Sequence, residues 1–132
     1  LKDYQQFKII EKLIDKSFSD IQIYGVETVR DQDGIALSSR NKFINKPNRE
    51  IYINFINTMN KFISNFDPET EIQDANQKLN SFIKETIDQI KKFEYCEFRS
   101  VEDMSMNGKV KNSRLFMAFY ILNTRLIDNL KA

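Results

Sequence analysis

The chain has 132 residues, 41% hydrophobic and 30% charged, with 20 Lys and Arg against 19 Asp and Glu and a formal net charge of +1. That is the make-up of an ordinary globular domain, and the charge balance argues against a nucleic-acid-binding surface. No segment is apolar for long enough to span a bilayer, and no signal peptide opens the chain. Histidine is absent, which removes histidine acid–base chemistry and histidine zinc sites from these residues. The single Cys96 forms no internal disulfide, and Gly25, Gly34 and Gly108 cannot build a phosphate-binding glycine loop. The chain opens on Leu1 within sequence that reads as structured, which leads us to expect a fragment or a processed piece.

Residues 5–16 place Phe7, Ile10, Leu13 and Ile14 at helical spacing, predicting a helix with one buried stripe. Ser17 to Asp20 supply turn-forming side chains. Ile21 to Val26 is β-branched and partly alternating, so a strand is expected there, the second half of a β-α-β unit. Glu27 to Asn41 reads as an irregular stretch with a turn at Asp33-Gly34, and loops at a strand's carboxyl end are where such sheets bind ligands.

Beyond Asn41 the pattern changes. Pro47 and Asn48 can open a helix carrying Ile51, Phe55, Met59, Phe62 and Ile63 to about Phe66. Pro68 suits the first position of a second helix, with Ile72, Leu79, Phe82, Ile83, Ile87 and Ile90 as its stripe. Residues 93–101, 115–122 and 124–130 read as strands, with a turn at Asn107-Gly108. The expected fold class is α/β: the end of a Rossmann-type nucleotidyltransferase domain (1–42), then a small α+β lid of two helices and a short antiparallel sheet (43–132).

Two segments are not explained by apolar packing. Lys2-Asp3-Tyr4-Gln5-Gln6 offers a compact cation for a phosphate, a carboxylate for sugar hydroxyls and a glutamine for a small polar substrate. Leu37-Ser38-Ser39-Arg40-Asn41 offers hydroxyls, backbone N–H groups and a guanidinium fork, a set suited to phosphate oxygens. Taken singly, Ser38-Ser39 also reads as a helix cap and Arg40 as a surface ion pair. Cys96 and the aromatic residues read as packing, since neither a nearby base nor a basic stripe accompanies them.

Together, KDYQQ (from Lys2), GVETVRDQDGIALSSRN (Gly25 to Asn41) and TRLIDN (Thr124 to Asn129) occur in order along the chain. They resemble the pantoate–β-alanine ligase family, in its C-terminal half. The resemblance implies an ATP-dependent enzyme that joins pantoate and β-alanine through a pantoyl adenylate, with Mg2+ accompanying ATP. It also implies a cytoplasmic protein that is homodimeric at full length. It matches Leu1, Lys2, Asp3, Val29, Leu37, Ser38, Ser39 and Arg40 to ATP-binding positions: Lys2 at the phosphates, Asp3 near the ribose, Val29 at the adenine through its backbone. Residues 37–40 match the loop that closes over the phosphates, the counterpart of the synthetase KMSKS loop. Gln6 matches the glutamine that holds pantoate. The family's H-x-G-H signature is missing, so no catalytic residue is assigned, and this chain alone is expected to be inactive. Leu122 stands where the family pattern has Gly, which puts the local turn in question. A stand-alone nucleotide-binding or interaction module without catalysis is the alternative.

Overall fold

The computed structural model describes residues 1–18 and 20–132; Ser19, within the expected turn after the first helix, lies outside them. In chain order the elements are α1 (Tyr4–Ser17), a 3₁₀ turn (Ser39–Phe43), α2 (Lys46–Ser64), α3 (Ile72–Thr86), β1 (Lys92–Ser100), a second 3₁₀ turn (Val110–Asn112), β2 (Ser113–Ile121) and β3 (Thr124–Lys131). The strands form one antiparallel sheet in the order β1-β2-β3.

The central strand β2 is buried along nearly its whole length. Its side chains alternate between two covered faces. On one face Leu115, Met117, Phe119 and Ile121 join the core laid down by α2 and α3. Phe119 meets Phe55 and Tyr52 of α2 with ring centroids 4.8 and 5.4 Å apart, near the edge-on geometry that aromatic quadrupoles favour. On the other face Phe116 packs 5.7 Å from Tyr4, whose hydroxyl donates to the Val101 carbonyl at 3.0 Å. The segment that opens α1 therefore seals the sheet on the side away from the helices.

α2 starts as expected. The Asn45 side chain accepts from the Asn48 N–H at 3.1 Å, and Pro47 sits in the first turn, where it forfeits no helical bond. α3 starts later than Pro68. Asp67 folds residues 67–70 into a turn, accepting from the Glu69 and Thr70 N–H groups. The chain at 70–72 then exchanges backbone bonds with 108–110 (Val110 N–H to Thr70 O, Ile72 N–H to Gly108 O, both 2.9 Å). A helix begun at Pro68 would turn those groups inward. α3 also ends at Thr86, before Ile90, which is buried in the core nonetheless. Asn107-Gly108 is not a two-residue hairpin turn. The β1–β2 connection is longer, and Gly108 holds φ +98° inside it.

Two expectations for the first 26 residues fail. Residues 21–26 form no strand: a strand needs a neighbour to pair with, and β1–β3 pair only among themselves. Ile21, Tyr24 and Val26 are left more than half exposed. Nor does α1 bury its stripe. It has no buried residue, and Leu13 is 53% exposed, because no described element lies across that face.

The β2–β3 hairpin turns at Leu122-Asn123, and Leu122 takes φ +50° with its side chain in solvent. A branched side chain there costs about 1–2 kcal/mol. Part of that gain is returned by the freer unfolded chain of a glycine variant. Leu122→Gly is therefore expected to stabilise the protein by about 0.5–1 kcal/mol, read as a higher urea midpoint at unchanged slope. A lower midpoint would refute the assignment of strain.

Beside this hairpin, the Glu94 carboxylate accepts from Tyr120 Oη at 2.8 Å and from Arg125 Nε and Nη2 at 2.9 and 2.7 Å. The Arg125 and Tyr120 hydrogen bonds lower its pKa from 4.5 to about 2. Since the folded value lies below the unfolded one, the pair stabilises the fold above pH 4.5 and that contribution is lost as pH falls towards 2. A carboxyl carbon-13 NMR titration should place the Glu94 midpoint near 2 and return it towards 4.5 in Arg125→Gln. An unshifted midpoint in the unmodified chain would remove the pairing.

Candidate functional site

Residues 29–37 fold back on themselves. Arg30 and Ala36 form an antiparallel bridge, and the Leu37 N–H donates to Val29 O at 3.0 Å. Gly34 makes the reversal at φ +82°, a conformation glycine adopts without strain. Asp31 holds the tip. Its carboxylate accepts from the N–H groups of Asp33 and Ile35 at 3.0 Å and from Arg49 of α2 at 2.7 Å. Partial burial pushes Asp31 up, but Arg49 and the two N–H groups outweigh it and hold the carboxyl below its ordinary range. The loop is therefore built, not loose.

Arg30 fastens the loop to the sheet. Its guanidinium donates to both Asp128 oxygens (2.8 and 2.9 Å), to Gly34 O (2.9 Å) and to Asn129 O (3.0 Å). The Asp128 side chain is fully buried and Arg30 is 26% exposed. Burial opposes the Arg30 charge, but the hydrogen bond and charge of Asp128 prevail and raise its pKa. The Tyr52 hydroxyl approaches Asp128 at 3.5 Å, and burial together with that carboxylate holds it protonated well beyond the usual phenol range. The contact with Asn129 O also caps the free edge of β3.

Asn129 points to the opposite face. Its amide donates to the carbonyls of Leu1 and Lys2 at 3.0 and 2.8 Å, and its oxygen accepts from Arg114 Nε at 2.6 Å. The Arg114 guanidinium in turn lies over the Tyr4 ring, 5.3 Å from its centroid. Asp3 then occupies the N-cap position of α1 with no side-chain cap bond, and Gln6 falls in the first turn. Lys2, Asp3 and Gln6 line one cavity of about 120 Å3 with Asp128 and Asn129, closed on its apolar side by Tyr95, Phe116 and Ile127.

The sequence-predicted residues thus divide. Lys2, Asp3 and Gln6 share that cavity, while Val29, Leu37, Ser38, Ser39 and Arg40 are not part of its wall. Val29 and Leu37 are exposed and joined by their backbone bond. The Ser38 hydroxyl accepts from the Arg40 N–H at 3.3 Å and caps the 3₁₀ turn, as the capping reading expects. Arg40 forms no ion pair with a described residue, contrary to its surface-pair reading. Of the six arginines, Arg40 alone has a guanidinium without a hydrogen bond among the described residues. Lys2 and Asp3 likewise form no ion pair among them. Residue-type reasoning assigned no role to Arg30, Arg114, Asp128 or Asn129. An Asp and an Asn inside an apolar strand were the available signal, because buried polar groups demand partners.

The sequence pattern that defines pantoate–β-alanine ligases matches residues 1–131. The chain belongs to the pantoate–β-alanine ligase family. It is 35% identical over 138 residues to a pantothenate synthetase from a Sulfurihydrogenibium species and 34% identical over 137 residues to one from Aquifex aeolicus. These alignments take in 98% of this chain and 47% and 46% of the relatives, so the chain spans about half their length. A crystal structure of the Thermus thermophilus pantothenate synthetase superposes with a TM-score of 0.79 at 24% identity, over 98% of this chain and 47% of that one. The Francisella tularensis pantoate–β-alanine ligase, solved with an ATP species and β-alanine, superposes with a TM-score of 0.60 at 28% identity, over 98% of this chain and 41% of that one. The mixed fold of helices and a three-stranded antiparallel sheet is therefore that of the family.

Proposed function

We propose that this chain is the C-terminal half of an ATP-dependent ligase that condenses pantoate with β-alanine, with residues 1–42 closing a Rossmann domain and residues 43–132 forming the lid. The reading is carried by three side chains: among the described residues Lys2, Asp3 and Arg40 form no ion pair, whereas the other arginines are all hydrogen-bonded. Solvated cations held at fixed backbone positions suit a polyphosphate substrate.

In the proposed reaction the pantoate carboxylate attacks the α-phosphorus of ATP, the bond to the bridging oxygen breaks, and pyrophosphate leaves. The β-alanine amine then attacks the pantoyl carbonyl and AMP departs. Lys2 and Arg40 stabilise charge on the phosphates, with the Ser38 and Ser39 hydroxyls beside them. Asp3 accepts from the ribose hydroxyls. Gln6, one turn along α1, offers both a donor and an acceptor to pantoate. Val29 and Leu1 contribute backbone groups to the nucleotide. No protein nucleophile is required, because positioning and charge stabilisation supply the rate. Among the described residues no group of three His, Cys, Asp or Glu side chains is placed to hold a metal ion. Magnesium would therefore be carried by the ATP phosphates, and no step is assigned to it.

The uncovered stripe of α1 and the segment 21–26, which forms no strand, fit a Rossmann half whose remaining strands lie elsewhere in the enzyme. The whole enzyme is read as a cytoplasmic homodimer. The test is pantoate-dependent ATP–pyrophosphate exchange by this chain and by the longest native chain containing it. Exchange by the longer chain only is expected. Exchange by neither favours a nucleotide-binding module without catalysis, and robust turnover by the 132 residues alone would overturn the division of labour.

A further inference from the structure

Asn129 is 1% exposed and is bonded both to the Leu1–Lys2 segment and to Arg30, in the loop that precedes Leu37 to Asn41. Its side-chain amide holds two consecutive carbonyls, those of Leu1 and Lys2, and its own carbonyl receives Arg30 from the loop that leads to Arg40. Each remaining degree of freedom is fixed by a neighbour. The Asn129 oxygen is taken by Arg114 Nε at 2.6 Å, and its N–H by Asp128 Oδ1 at 2.8 Å. An amide with its oxygen already bonded to a guanidinium can present only its NH2 to the Leu1 and Lys2 carbonyls, so the orientation of the side chain is determined. The distance from the Lys2 backbone to the Arg30 loop thus runs through one residue of β3.

We propose that Asn129 is a positioning residue for the adenylation step, which sets Lys2 and Asp3 at a fixed distance from the Arg30 loop that leads into Ser38, Ser39 and Arg40. This rests on the ligase reading. Asn129 itself touches no reacting atom. Its effect is geometric: the phosphate-side cations arrive from two segments distant in sequence, and stabilisation of a transferring phosphoryl group depends on their joint placement.

The informative variant is Asn129→Asp, which keeps size and the acceptor for Arg114 but puts an oxygen where the NH2 faced two carbonyls. Two readouts are taken. Hydrogen exchange of the peptides covering residues 1–7 and 26–37 is measured in the 132-residue chain. The kcat and KM of pantoate-dependent exchange, per active site, are measured in the native chain containing it. The expected result is faster exchange in residues 1–7 and a kcat lowered by about 100-fold, with KM for pantoate within threefold. Combination with Leu122→Gly should raise the stability of the variant without restoring kcat, separating placement from folding. Unchanged hydrogen exchange overturns the proposal whatever the activity. Faster hydrogen exchange with an unchanged kcat overturns it too, reducing Asn129 to a structural residue. If the unmodified native chain shows no pyrophosphate exchange, it is the ligase reading that fails, and hydrogen exchange alone then decides whether Asn129 fixes the segment.

Discussion

Arg30→Ala is expected to lower folding stability by about 3–5 kcal/mol, the range seen when one partner of a buried ion pair is removed. The Asp128 side chain has no exposure, so a carboxylate left without Arg30 cannot recover its loss by hydration. The variant also strips the hydrogen-bond donor from Gly34 O and Asn129 O. The reverse change, Asp128→Ala, should cost less, because Arg30 is partly exposed and can reach water. Replacing both by apolar residues of similar volume should return most of the loss, since the pair's attraction largely offsets its own desolvation. Urea unfolding of the two single variants and the double variant closes the cycle. A loss below about 1 kcal/mol in Arg30→Ala, the size of a surface pair, would show that Asp128 is hydrated in solution.

Lys2→Ala is expected to do the opposite: little to stability and much to activity. The Lys2 ammonium forms no ion pair among the described residues, so its removal should change stability by no more than about 0.5 kcal/mol. If it meets the phosphates, its loss should lower the rate of pantoate-dependent pyrophosphate exchange by the native chain by about 100–1000-fold, as for other fixed groups that stabilise developing charge. Lys2→Arg should not recover the full rate, because a planar fork does not replace a compact point charge. An exchange rate within threefold of the unmodified protein would remove Lys2 from the phosphate site.

These two residues show what the sequence discloses and what it conceals. The helices α2 and α3 and the central strand β2 follow from periodicity, because each buries a continuous stripe and a buried stripe is written at fixed spacing; α1 follows the helical spacing but leaves its stripe uncovered. The segment at Ile21–Val26 was misleading for the same reason. Its β-branched residues report a tendency to be covered, whereas a strand is defined by a ladder of hydrogen bonds to a neighbour; among the described residues no ladder forms here, and the Leu1 amino group alone reaches across to the Val26 carbonyl. Lys2, Asp3 and Gln6 were legible as residues without a packing role, and the fold brings them to one cavity. The residues that place them were not. Arg30 and Asp128 are 98 positions apart, and Asn129 is 127 from Lys2, separations that leave no trace in local spacing. The motif TRLIDN is visible as a pattern, but its Asp128 and Asn129 acquire meaning only once β3 is seen to turn one to each face of the sheet.

That arrangement also fixes an order of events during synthesis. The Arg30 loop and the Lys2 segment are made before β3, yet both are fastened by side chains of that strand. At about 5–20 residues per second, a ribosome needs roughly 5–20 s to go from Arg30 to Asp128. Through that interval the nascent chain carries both segments unfastened, with neither Asp128 nor Asn129 yet available to them. Helices α2 and α3 can form early, but the segments proposed to meet the phosphates acquire their geometry only when β3 leaves the exit tunnel, so a chain truncated short of residue 128 would keep its helices and lack a site.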